Sequence, residues 1–337
     1  MSAIYKYPHP FTLESGEVLP SLEIAYDTYG QMNSERSNVI WVCHALTANS
    51  DVADWWPHTV EAGRFLDPER YFVICANFLG SHYGTTGPLS VNPATGEPWY
   101  GDFPRVTVRD MVRAHQLLAT HLGIEQVALL IGSSIGGFQC LEWSVMQPDF
   151  AKKAAFIATT PCTKAWAAAF NESQRMAIEG DPTFGERSAE AGLNGMATAR
   201  SIALLSYRGG MAYDISQADA EPDEASFERR VHSYQRYQGE KLRRRFNAYS
   251  YASVSYAVDS HDIGRGRGGV VEALKNIKSR TFVVGITSDI LFTEVENRYL
   301  ADNIKGSHYH LIDSSFGHDG FLVEADSLNK LILEFIN

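Results

Sequence analysis

The sequence predicts an α/β fold, a mostly parallel central sheet carrying helices on both faces. Three observations predict it. Short apolar runs alternate with helix-spaced segments at both ends of the chain, as strand–helix–strand units require. One such run, Val127 to Ile131, passes through Gly132-Ser133-Ser134-Ile135-Gly136 into a helical stretch. Strand-like runs then disappear from residues 161 to 275.

In chain order, Leu22 to Tyr29, Val39 to His44 and Tyr71 to Asn77 read as strands. A helix over Thr107 to Leu122 stops at Gly123, where a glycine suits a helix end. Val127 to Ile131 is unbroken and short, as a strand buried on both faces should be. Phe138, Leu141, Trp143 and Val145 space the next helix, which Pro148 closes. Ala154 to Thr159 is a further apolar run. Thr281 to Thr287 and His308 to Ile312 read as the last strands, with helices over Glu294 to Asn303 and Ala325 to Ile336.

The intervening segment is rich in Ala, Met, Arg, Glu and Tyr at helical spacing, over Trp166 to Ile178, Ala197 to Tyr207 and Ser226 to Phe246. It reads as an all-helical lid over the carboxyl edge of the sheet. Residues 1–160 and 276–337 then form the core and 161–275 the insertion. Gly264 to Gly269 would be a flexible return, and the runs Arg229-Arg230 and Arg243 to Arg245 solvated or subunit-contact helix faces.

With 337 residues, 20% charged and 45% hydrophobic, the chain has the composition of a globular protein with a large core. A net charge of −11 argues against nucleic acid or an anionic membrane as partner, while leaving room for a small anion in a local basic pocket. No run approaches membrane-spanning length. Cys43, Cys75, Cys140 and Cys162 are scattered without a C-x-x-C pair. Buried thiols in a reducing, cytoplasmic compartment are the expectation.

The strand–turn–helix setting turns G-x-S-x-G into a nucleophile elbow with Ser134 at its apex, rather than a Gly/Ser helix cap. A serine hydroxyl is a weak nucleophile at neutral pH, so it needs an imidazole to take its proton and a carboxylate to orient that imidazole. In folds of this kind the order is Ser, acid, His. Asp289 follows the strand Thr281 to Thr287, and His318 sits in Gly317-His318-Asp319-Gly320 before the last helix. Strand ends are where open α/β sheets assemble their sites. His308 and His310 lie within a strand pattern, and Asp259, Asp262 and Asp313 are expected to lack the strand-end position. Backbone N–H groups of Ile135 and of Leu46, in the loop His44-Ala45-Leu46-Thr47, would make the oxyanion hole. His44 itself is read as shaping that loop. No metal is required. These pieces describe an α/β-hydrolase fold, for which an esterase or thioesterase is the default reading.

Ala25-Tyr26-Asp27-Thr28-Tyr29-Gly30, Cys43-His44-Ala45-Leu46-Thr47, Gly84-Thr85-Thr86-Gly87-Pro88, the elbow, Leu205-Ser206-Tyr207-Arg208 and Gly317-His318-Asp319 go further. Together, and nearly end to end, they resemble the homoserine O-acyltransferase family, specifically its O-acetyltransferases. The resemblance implies two half-reactions. Ser134 would take an acetyl group from acetyl-CoA, then pass it to the side-chain hydroxyl of L-homoserine, supplying methionine synthesis. It implies no permanently bound cofactor and a homodimer through the lid. It also implies an amino-acid clamp in which Arg208 binds the carboxylate and Asp319 the ammonium. The chain departs from the family pattern at Ser133, at Ile135 and over Ala48-Asn49-Ser50-Asp51, positions expected to line the acyl pocket. Succinyl-CoA users and serine acylators share such a fold. The lack of a carboxylate-binding arginine beside the elbow favours acetyl.

Overall fold

The computed structural model describes residues 2–220 and 227–337. Its main sheet has eight strands: β1 (Ser2–Tyr7), β2 (Leu22–Tyr29), β3 (Val39–Cys43), β4 (Phe72–Ala76), β5 (Val127–Ser133), β6 (Ala151–Ile157), β7 (Arg280–Ile286) and β8 (His308–Ile312). Their spatial order is β1-β2-β4-β3-β5-β6-β7-β8. The β1–β2 and β2–β4 pairings are antiparallel and the rest parallel, so the expected architecture is present. The edge strand β1 was not anticipated: Ser-Ala-Ile-Tyr-Lys-Tyr has no buried face, alternating exposed with half-buried positions.

The central strands are apolar throughout because both faces are covered. Along β3, Val39, Trp41 and Cys43 join one core cluster while Ile40 and Val42 join the other, as a period of two requires. The first cluster is closed by the helices Val108–His121 and Ile135–Met146 through Met111, Leu118, Phe138 and Leu141. The second is closed by the helix Ala325–Ile336 through Leu328, Ile332 and Phe335. Thr107 caps the first of these helices with a reciprocal side-chain pair to Asp110.

Between β6 and β7 the chain is helical: Ala165–Glu179, Leu193–Tyr207, Gly210–Ser216, Arg230–Arg243, Ala248–Asp259 and Val270–Leu274. The helix anticipated from Ser226 starts at Arg230 among the described residues, and Ser226 lies outside them. Ala248–Asp259 was missed, its Ser- and Tyr-rich sequence being a weak helix signal. Asn247 caps it, accepting from the Ser250 N–H at 2.8 Å. Ile178, Met196, Leu242, Phe246 and Tyr251 form a third apolar cluster against which Leu46 and Tyr83 of the core pack. Cys43, Cys75 and Cys140 are buried free thiols, as anticipated, and Cys162 is half-buried.

Candidate active site

Ser134 has φ +56° and ψ −128°, one of a few non-glycine residues at positive φ. Such strain persists only where the surroundings over-determine it. Here they do: its N–H donates to Ile157 O at 3.0 Å and its C=O accepts from Thr159 Oγ1 at 2.9 Å. The first bond inside the following helix runs from Phe138 N–H to Ser134 C=O. The amides of Ile135, Gly136 and Gly137 therefore have no acceptor within the helix. A Cβ on Gly136 would sit 2.0 Å from Cys43 O and 3.1 Å from His44 O. Only glycine lets the start of this helix press against the end of β3 and the loop that follows it.

Asp289 and His318 meet. The Asp289 Oδ2 accepts from His318 Nδ1 at 2.7 Å, while Oδ1 accepts from the N–H groups of Leu291 and Phe292 at 2.8 and 3.0 Å. Both side chains are buried, and Phe292 and Phe321 stand edge-on to the imidazole at 5.2 and 5.5 Å. Burial disfavours the imidazolium, but the charge and hydrogen bond of Asp289 outweigh it, so the His318 pKa is raised from its ordinary value. Its Nε2 is buried and has no partner among the described residues. Gly317, at φ +64°, brings this loop against the end of the helix Leu193–Tyr207, where a Cβ would lie 2.6 Å from Gly209 N.

Ser134, His318 and Asp319 line one cavity of about 370 Å³, together with Ala45, Leu46, Asn49 and Trp55. Arg200, Lys241 and Arg245 also line it, giving an acidic chain a locally basic pocket. Among the described residues no group of His, Cys, Asp and Glu has the arrangement of a metal site.

The site differs from the sequence reading in four respects. Arg208 pairs with Asp319, Nε to Oδ2 at 3.2 Å, but lines a separate cleft with Ser288 and Ser315. Arg200 is the arginine of this helix that lines the cavity. Burial raises the Asp319 pKa against the opposing charges of Arg200, Arg208 and His318. Second, Arg245 is no solvated helix face: it donates through Nη1 to Thr47 O and, at 2.8 Å, to Tyr83 Oη. Third, the side chains of Ser133 and Ile135 are buried and line no part of the cavity, whereas Ala48 and Asn49 do. Finally, Asp313 does follow a strand end, that of β8, but is exposed, bonded to Thr287 Oγ1 at 3.1 Å, and lies in the outer cleft.

The α/β-hydrolase-fold family matches residues 38–325. A homoserine O-acetyltransferase of Cyclobacterium marinum is 45% identical over 332 residues, covering 98% of this chain and 94% of that protein. The chain belongs to the homoserine O-acetyltransferase family. A crystal structure of the Bacillus anthracis family member superposes with a TM-score of 0.92 at 25% identity, covering 100% of this chain and 98% of that one. Esterase E22 superposes nearly as well, at 0.91 and 22% identity with both chains fully covered. At that identity the likeness extends to the fold alone. The fold by itself therefore assigns no reaction, and the groups lining the cavity carry that question.

Among those groups, sequence reasoning missed Arg200, Lys241 and Trp55. A signal for Arg200 existed: it lies seven residues before Tyr207 on one helix, two turns apart on one face. Tyr207 lines the cavity too.

Proposed function

We propose that this protein transfers an acetyl group from acetyl-CoA to the side-chain hydroxyl of L-homoserine through an acetyl-Ser134 intermediate. The observation that carries the reading is the opposite-charge pair Arg200 and Asp319 in the cavity of Ser134 and His318. A simple ester needs neither charge, whereas a zwitterionic amino acid needs both.

In the first half-reaction His318 Nε2 takes the Ser134 proton as Oγ attacks the thioester carbon. The C–S bond breaks, and the proton leaves with the CoA sulfur. In the second, Nε2 takes the proton of the homoserine hydroxyl, whose oxygen attacks the acetyl ester. Ser134 is regenerated with that proton, and O-acetyl-L-homoserine departs. Asp289 keeps the imidazole in the tautomer whose Nε2 accepts. The amides of Ile135 and Leu46 receive the negative charge on the carbonyl oxygen. Arg200 takes the amino-acid carboxylate in a bidentate fork and Asp319 the ammonium. Arg208 joins the clamp from behind by holding Asp319. No permanently bound cofactor enters this scheme.

The reading extends to a cytoplasmic enzyme of methionine biosynthesis that dimerises through its lid, where Met211 and Ile215 are exposed at 65% and 72%. Water as the acceptor, giving hydrolysis of the same acyl-enzyme, is the competing reading. Intact-protein mass after brief exposure to acetyl-CoA, and separately to succinyl-CoA, identifies the donor and the acylated state. Adding homoserine or serine then decides the acceptor: acetyl leaving as O-acetyl-homoserine supports transfer, and acetate released at the same rate without acceptor overturns it.

A further inference from the structure

The end of β3 and the loop after it are held at several carbonyls. Those of Cys43 and His44 abut Gly136 at the elbow, and that of Thr47 accepts from Arg245. Next along from His44, Ala45 O lies 2.9 Å from His44 Nδ1 and also accepts from Ala48 N–H at 3.1 Å. His44 is fully buried, with its ring stacked on Phe78 at 4.4 Å between centroids and 22° between planes. A carbonyl can only accept, so Nδ1 carries the hydrogen. Burial lowers the His44 pKa to about 4, so the ring is neutral at neutral pH and Nε2 carries none. That Nε2 has no partner among the described residues. A buried imidazole with one nitrogen unsatisfied is a poor choice for packing alone, where a phenyl ring would stack as well.

What the bonded nitrogen does follows from peptide geometry. No peptide bond among the described residues is cis, so the C=O of Ala45 and the N–H of Leu46 point in opposite directions across one plane. Fixing that carbonyl toward the imidazole turns the Leu46 amide the other way. Leu46 lines the cavity of Ser134.

We propose that His44 is a positioning residue for the reaction: its Nδ1–H locks the Ala45–Leu46 peptide so that the Leu46 amide serves the oxyanion. His44 exchanges no proton with substrate. A rotated peptide would present a carbonyl oxygen to the developing negative charge instead of a donor. The inference rests on the acyl-Ser134 reading and on Leu46 as an oxyanion donor.

The test compares His44→Phe, which keeps the stacked ring without a donor, with His44→Asn, whose amide N–H occupies the place of Nδ1. The expected result is a loss of about 10²–10³ in kcat for His44→Phe, as for removal of one oxyanion donor. KM for acetyl-CoA and homoserine should stay within about twofold, because the interaction exists only in the transition state. His44→Asn should recover most of the lost kcat. Equal losses in the two variants, or a His44→Phe enzyme within about threefold of the parent kcat, overturn the inference. Should His44→Phe fail to fold, His44→Gln, whose amide lies where Nε2 was, replaces it as the donor-free comparison. Ser134→Ala run beside them separates the two layers. Retained turnover there overturns the proposed function itself, while a dead Ser134→Ala beside an unaffected His44→Phe overturns only the role of His44.

Discussion

Replacing Asp289 by Asn changes one atom, and the structure fixes which atom it must be. Oδ1 already accepts two backbone N–H groups, from Leu291 and Phe292. The amide oxygen of an Asn must stay there, because an NH₂ in that position would face two donors. The NH₂ is then turned toward His318 Nδ1, where the carboxylate Oδ2 accepted at 2.7 Å. A donor now meets a donor, so the imidazole switches tautomer and carries its hydrogen on Nε2, the nitrogen that must accept from Ser134. A misoriented triad of this kind costs roughly 10⁴ in rate, or about 5 kcal/mol of transition-state stabilisation. The assay is stopped-flow detection of CoA thiol release in the first turnover, repeated across pH. The sign of the second effect is also fixed. Asp289 raises the His318 pKa against the opposing effect of burial, and the base acts only when neutral. The parent rate should therefore fall as pH drops through a pKa above that of an ordinary imidazole. Without the carboxylate the residual activity should lose its acid limb at lower pH. A variant within about tenfold of the parent, or with its acid limb unmoved, refutes the assigned orientation of the dyad.

Ser134→Ala should leave the fold intact and yield no acetylated protein by intact mass. Arg200→Met should raise KM for homoserine by about ten- to a hundredfold, the loss of a charged hydrogen-bonding partner. The rate of CoA release without acceptor should change little. Arg208→Ala, which frees Asp319 without emptying the cavity wall, should weaken homoserine use less than Arg200→Met but still more than the first half-reaction. Gly136→Ala should abolish turnover and lower stability by about 1–3 kcal/mol in urea unfolding, because its methyl would lie 2.0 Å from Cys43 O.

The elbow, Asp289 and His318 were legible because each is announced by its own neighbours: an apolar strand before, a glycine or a helix after. The clamp was not. Arg208 stands just past the helix Leu193–Tyr207, at φ −114° and ψ 140°, so its side chain leaves the helical face that Arg200 shares with Tyr207. Counting two turns back from Tyr207 would have found Arg200, whereas reading the adjacent word Tyr207-Arg208 did not. Arg245 had no local signal. Arg243 and Arg244 pair with Glu240 on their own helix, while Arg245 reaches Thr47, a partner 198 residues away. The oxyanion loop could be located from its strand, but the role of His44 depends on contacts with Phe78 and Ala45 that spacing does not encode.

The third apolar cluster, built from Ile178, Met196, Leu242, Phe246 and Tyr251 and touching Leu46 and Tyr83, divides labour within the molecule. Ser134, His318 and Asp319 ride on loops of the sheet, whereas Arg200, Tyr207, Lys241 and Arg245 reach the same cavity from a separately packed canopy. Substitutions in that canopy can trade one nucleophilic guest for another without disturbing the sheet.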